Sequence, residues 1–496
     1  PGNTMVGTHI NRNITWAEMA KPFMTYVARV SYMLQQGSPV ADLAYLLPEG
    51  APSTMPFWGA GLRPALPAGY DYDYINTDIL LHRTSALPDG RIHVESSAAM
   101  HGMSYRVLVL PPTTQMTPEV AQKLHELVAA GATIVGARPI SSPSLSHGSG
   151  ADAEVKAVVN DLWGDMDGVT LNQHSFGKGM TYWGLTLGEV LTRLKDPQDF
   201  ASSGSLDNPP AWVHRHTADS DIYFVANQAD APVHLDARFR VTGKDVQVWQ
   251  PMDGVVSGKP VAYSTAARID QRTGNREPGL QPALYAPEPG FSVVPLDLAE
   301  RESVFVVFRN ATSALMRSAP VAGETKLSTL SGSWTVTFPP NWGAPASIQM
   351  TKLTSWTDSA DAGVKYFSGT ATYTKTVQAS ASWFRSGQHV WIDLGKVRDI
   401  AEVKVNGKSA GLTWAPPYRV DVTSALKPGL NKLEIAVTNE WTNRQIGDRL
   451  GPADKRILST PAAPVRPGGG GFGFGPQVPL ESGLLGDVSF VAERGQ

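Results

Sequence analysis

Near residue 210 the hydrophobic period of this chain changes, and that change limits the folds open to it. Before it, short apolar runs alternate with helical stretches. Val40 to Leu47 is one run, closed by Pro48; Arg106 to Leu110 and Thr133 to Gly136 are two more. Between the last two, Thr117 caps a helix that opens on Pro118, runs through Ala130 and stops at Gly131. Asp152 to Trp163 and Leu185 to Leu194 read as further helices. Strand, helix, strand with short connections argues a parallel sheet. After residue 210 the period is two. Asp221 to Asn227, Val233 to Val241, Val246 to Trp249 and Val304 to Phe308 alternate in and out between turn residues, as the strands of an antiparallel β-sandwich do.

A second all-β stretch begins near Gly332. Its clearest hairpin joins Glu402–Val405 to Lys408 through Asn406-Gly407, the favoured pair where both turn residues need positive φ. Gly468 to Gly475, carrying Phe472 and Phe474, is a glycine-rich loop without the strand-to-helix context of a phosphate cradle. At the other end, Thr15-Trp16-Ala17-Glu18 fits a capping box. Trp16, Met19, Ala20, Phe23, Val27, Val30 and Leu34 then draw one helical stripe. Pro22 is expected to kink this helix, and Gly37 and Pro39 to end it.

Charge narrows the partners. Lys and Arg total 42 against 45 Asp and Glu, a net of −3, so no basic surplus points to nucleic acid; neutral polymers such as glycans stay open. Without any Cys there is no disulfide, thiolate metal site or Cys nucleophile. No run approaches the ~18–20 apolar residues of a membrane span. The opening Pro-Gly-Asn lacks an initiator Met and a signal peptide, and reads as a cut through a longer protein. At 496 residues, several domains are expected.

Two ordered series of motifs carry a resemblance. The first is Tyr366-Phe367-Ser368-Gly369-Thr370-Ala371-Thr372-Tyr373, Val390 to Gly395, Val405-Asn406-Gly407-Lys408, Gly411 to Tyr418 with its Pro416-Pro417-Tyr418, Gly429 to Leu433, and Val437 to Trp441. It resembles the sugar-binding jelly roll of family 2 glycosidases. The second runs Gly7-Thr8-His9-Ile10-Asn11-Arg12-Asn13-Ile14-Thr15-Trp16, Tyr26 to Arg29, Leu34 to Gly37, Gly69 to Tyr74, Met103 to Pro111, and Trp212 to Arg215 leading to Asp221–Asn227. It is similar to the C-terminal half of α-L-rhamnosidases of glycoside hydrolase family 106.

The resemblance implies a multidomain α/β plus all-β fold. Residues 1–37 would end a catalytic (β/α)₈ barrel, 38–205 form an α/β domain with a parallel sheet, 206–328 an antiparallel β-sandwich, and 329–496 a jelly roll. It also implies an inverting exo-glycosidase that hydrolyses terminal α-L-rhamnosides. Its Glu general acid and Glu general base, and most ligands of an associated calcium, would lie upstream of Pro1. The expected partners are a rhamnose-containing glycan or glycoside and the N-terminal half of the same enzyme, with no nucleic acid and no membrane. A periplasmic or secreted location follows from such a substrate. The alternative is a non-catalytic carbohydrate-binding protein that uses the jelly roll.

Among local candidates, His9, Asn11, Arg12, Asn13 and Trp16 form a polar-aromatic group on the loop before the first helix. Barrel enzymes bind substrate on such loops: imidazole and amide groups bond hydroxyls, Arg a ring substituent, and Trp stacks. The same residues equally suit helix capping and pinning the chain to the barrel wall. Asp71 and Asp73 alternate with Tyr70, Tyr72 and Tyr74, which fits the lining of a sugar site or an interdomain seam. Glu49, at the carboxyl end of the first strand, reads as a cleft acid or a solvated loop carboxylate. Trp391, Trp414 and Trp441 could stack on sugars or pack between domains. His214 and His216 share a strand face and are expected at its surface, with no metal site. No Gly-x-Ser-x-Gly elbow supports a serine hydrolase.

Overall fold

The computed structural model describes residues 10–50, 61–95, 102–203, 208–254, 263–264, 290–317, 324–458 and 478–494. His9 and the Gly468–Gly475 loop lie outside them. The first element is a 3₁₀ turn, Ala17–Met19, followed by the α-helix Lys21–Leu34. The expected capping box does not form. The Thr15 hydroxyl is buried without a partner, and the helix starts after Ala20 with no side-chain cap. Burial of Ile14 and Ala20 sets the entry instead. Pro22 falls in the first helical turn, where no intrahelical donor is lost, so it causes no kink.

This helix lies on the β-sandwich. Val30, Met33 and Leu34 pack against Ile222, Phe305 and Val307. Tyr26 shares a 2.8 Å hydrogen bond with Ser303, and Arg29 donates to the carbonyls of Pro251 and Met252, each at 2.9 Å. Val27, expected on the buried stripe, is instead exposed beside Met24 and Tyr32. Among the described residues, the segment before Gly37 contributes this helix and no barrel strand.

The α/β region has a six-stranded sheet in the order Tyr72–Ile75, Leu43–Leu46, Val107–Val109, Thr133–Val135, Gly179–Tyr182 and Gln173–Phe176. The first five are parallel and the last antiparallel. The central strands are buried on both faces, which explains their unbroken apolar runs. Ala44, Leu46, Leu108 and Ile134 meet the helices Pro118–Ala130 and Ala151–Trp163 on one face. Leu43, Tyr45, Val107 and Val109 meet the helix Leu187–Arg193 on the other.

Both ends of the 38–205 stretch pair into the sandwich. Ser38–Pro39 joins the sheet of Ala211–His216, Asp221–Ala226, Ser303–Ala311 and Lys244–Trp249. Phe200–Ser202 joins Val233–Phe239 in the facing sheet, next to Ser292–Leu298. Tyr223, Phe239 and Phe308 fill the space between the sheets.

The last unit is also two-layered. One sheet orders Glu324–Thr329, Ser489–Arg494, Gln388–Asp393 and Arg419–Asp421. The other orders Ser347–Met350, Trp334–Thr337, Thr370–Ala379, Gly429–Thr438, Ile400–Val405 and Lys408–Thr413. The Asn406-Gly407 turn is as expected, with φ of 53° and 79°. Trp334, Trp356, Phe367, Tyr373 and Phe490 are fully buried between the layers. No helix among the described residues is long and apolar enough to cross a membrane.

Candidate carbohydrate-facing junction

The described candidates of the N-terminal loop meet the jelly roll. Asn11 turns its side-chain oxygen to its own loop, accepting from the Asn13 amide at 2.9 Å. The Asn13 carbonyl accepts from the Trp441 indole at 2.6 Å. Trp441 in turn lies parallel to Trp342, 5.2 Å between ring centres. Trp16 sets its edge on Phe23, and Phe23 and Tyr26 both set theirs on Trp414, at 5.2 and 5.5 Å. Trp414 and Trp441 therefore brace the N-terminal segment. Arg12 is exposed.

Asp71 and Asp73 are elsewhere, at the edge strand of the parallel sheet. Asp71 accepts from the Tyr72 amide at 2.8 Å and Asp73 from the Tyr105 hydroxyl at 3.0 Å. Burial raises both carboxyls above their ordinary range. Tyr72 and Tyr74 cluster with Tyr45 on the opposite side of the strand, the alternation expected of it. Glu49 is half-buried and hydrogen-bonded, not a free loop carboxylate. It clasps the start of the helix Pro118–Ala130, accepting from the Thr117 amide at 2.9 Å and hydroxyl at 2.7 Å.

Next to Trp414 is a cavity of about 600 Å³, missed in the sequence because stretches far apart in the chain, from Pro22 to Glu493, build it. The helix supplies Phe23 and Tyr26, the sandwich end Gln250, Asp253 and Glu302, and the jelly roll Trp391, Trp414 and Arg419. Glu302 accepts from the Ala299 amide at 2.7 Å. Burial pushes its carboxyl up, opposed by that amide and by Gln250, with Asp253 adding repulsion.

A second polar cluster joins the α/β region to the sandwich. His214, expected at the surface, is 4% exposed. The cause is the pairing with Asp199, which comes from the facing sheet. Nδ1 lies 2.8 Å from Asp199 and Nε2 3.3 Å from Asp221, while the ring stacks on Tyr223 at 3.8 Å. A carboxylate at each nitrogen favours the doubly protonated ring. Burial alone would lower its pKa, but the two carboxylates together hold it above the ordinary imidazole value. A raised folded value contributes stability below the unfolded value of ~6.5 and loses it as pH climbs through the folded one. Replacing His214 with Gln should therefore cost most near pH 6 and least near pH 9, read by urea denaturation of both proteins. An equal cost across that range would exclude the imidazolium.

Among the described residues, no three His, Asp or Glu side chains are grouped to hold a metal ion. The calcium implied by the resemblance gains no ligand set among those residues.

The family model for α-L-rhamnosidases of glycoside hydrolase family 106 matches residues 1–265. The chain belongs to that family. The model for the galactose-binding-like domain of family 2 glycosyl hydrolases matches residues 356–460. A solved rhamnosidase from Novosphingobium sp. PP1Y is 34% identical and superposes with a TM-score of 0.78, covering 99% of this chain and 43% of that one. A Formosa agariphila protein, named provisionally as a beta-glucuronidase, is 26% identical over 90% of this chain and 53% of its own length. This family 106 chain thus spans about half the length of the relatives it matches.

Proposed function

We propose that this family 106 chain is part of an inverting exo-glycosidase that removes terminal α-L-rhamnose from glycans or glycosides. The observation that carries the reading is the rhamnosidase match over more than half the chain. In this reading the helix Lys21–Leu34 ends a (β/α)₈ barrel, and the α/β, sandwich and jelly-roll regions hold the barrel rim in place. Asn11, Arg12, Asn13 and Trp16 sit at that rim, facing substrate, and Trp441 fixes their loop. Inversion needs an acid and a base carboxyl ~6.5–9.5 Å apart with a water between them. The reading places that glutamate pair, and any calcium, upstream of Pro1, and the enzyme in the periplasm or outside the cell.

The test compares the full-length protein with residues 1–496 on an aryl α-L-rhamnoside, following the anomer released by NMR. Full-length protein should release β-L-rhamnose first, and residues 1–496 alone should show no turnover. Turnover by residues 1–496, or a preference of the full-length protein for an aryl β-glucuronide, would sink the reading.

A further inference from the structure

The turn Asn11–Ile14 is exposed along its first three residues, and two bonds give it its shape. The Asn11 side-chain oxygen accepts from the Asn13 amide, and the Asn11 carbonyl from the Ile14 amide, each at 2.9 Å. Such a turn fixes its own curvature but not its place on the protein. Burial of Ile14 seats one end of it. A second hold is the Trp441 indole, which donates to the Asn13 carbonyl at 2.6 Å. Asn13 thus uses its amide for the turn and its carbonyl for the jelly roll, and its side chain enters neither bond.

Trp441 is a stiff anchor. Its ring stacks on that of Trp342, 5.2 Å away and 15° from parallel. Trp342 lies over Gly369, whose φ is 123°; a Cβ there would come within 2.9 Å of the Trp342 ring, so the glycine makes room for the stack. Two residues before Trp441, the buried Asn439 accepts from the Gly369 amide at 2.9 Å. It also donates to the Phe367 carbonyl and the Ser482 hydroxyl, both at 3.0 Å. After the indole, the Trp441 carbonyl accepts from the Gln445 amide at 2.9 Å and opens the helix Thr442–Leu450. The backbone on both sides of Trp441 is therefore fixed to the jelly roll. A loop tied to such a frame is ordered before any ligand arrives, and binding does not bear that cost.

We infer that the stacked Trp342–Trp441 pair is a positioning device: by holding the Asn13 carbonyl, the jelly roll sets where Asn11, Arg12 and Asn13 meet a bound glycoside. This role rests on the reading that those residues face substrate. Loosening the turn removes binding that ground and transition states share, so the effect falls on KM and not on kcat. A bracing role alone would lower stability and leave KM unmoved.

Trp441→Phe keeps a ring on Trp342 and removes the N–H donor. In residues 1–496 it should speed hydrogen exchange at the Ile14 amide about fivefold, with an unchanged far-UV spectrum. In the full-length protein it should raise KM for an aryl α-L-rhamnoside about fivefold and leave kcat within about twofold. Trp342→Ala should raise KM likewise. Trp342→Phe, which keeps a stacking ring, should hold KM within about twofold of the native value. Exchange or KM unchanged in Trp441→Phe, or a kcat that falls as far as kcat/KM, would overturn the positioning role. Native full-length protein that cleaves another glycoside in place of the rhamnoside would sink the rhamnoside reading alone, and the same KM-against-kcat comparison is then made on that glycoside.

Discussion

Arg240→Ala is expected to destabilise the protein by about 3–5 kcal/mol, the usual cost of stripping one partner from a buried ionic cluster. Arg240 follows the sandwich strand Val233–Phe239 and reaches Asp42 at the start of a strand of the parallel sheet, with contacts of 2.9 and 3.0 Å to its two oxygens. It also lies 3.4 Å from Asp199 and 3.7 Å from Asp196. The side chains of Asp42 and Asp199 are 1% exposed and that of Asp196 is 8%. Burial pushes Asp42 up to about 6 even with the guanidinium beside it.

Without that cation, all three carboxyls face desolvation and one another. The folded values of Asp42 and Asp196, already raised by burial, rise further, so the folded state holds more protons than the unfolded one. Stability then falls as pH rises through those values. The variant should accordingly lose more near pH 8 than near pH 5, measured by denaturant midpoints at both. A loss below about 1 kcal/mol, independent of pH, would mean that solvent already screens the cluster.

Trp356→Ala should cost a similar ~3–5 kcal/mol, through a different term. Trp356 is 1% exposed in the jelly-roll core and packs against Phe338, Phe367 and Tyr373. Removing the indole leaves a cavity that such close-packed neighbours fill only in part. It also takes away the 2.6 Å hydrogen bond that the indole donates to the Tyr373 hydroxyl. Tyr373→Phe removes the hydroxyl while keeping the ring, and should cost only about 1–2 kcal/mol. Thermal unfolding of the three proteins ranks the two losses. If Tyr373→Phe cost as much as Trp356→Ala, the hydrogen bond rather than packing would hold this core.

What could be read from the sequence was mostly local. The helix Pro118–Ala130 begins after Thr117, whose side chain accepts from Val120, and ends at Gly131 with φ of 131°. Each signal there lies within a few residues of its effect. The Asn406-Gly407 turn was legible for the same reason. Thr15 and Glu18 carried an equally good local signal, yet tertiary burial of Ile14 and Ala20 overrode it. His214 was misplaced because its partner Asp199 sits 15 residues away, across two sheets of the sandwich. Of the candidate loop, the motif singles out Asn11, Arg12, Asn13 and Trp16 but not what holds them. Their anchor, Trp441, is 428 residues from Asn13, and no spacing rule spans that distance. The cavity was hidden for the same reason.

The strand Ser489–Arg494 runs between Glu324–Thr329 and Gln388–Asp393, so it is an inner strand of its sheet. A ribosome must therefore finish residues 489–494 and let them leave the exit tunnel before that layer can close. Until then both flanking strands expose unsatisfied backbone edges. Chains cut before residue 489 would keep those edges open to other strands and to proteases, so this layer depends on a segment whose nearest predecessor in the sheet ends back at Asp421.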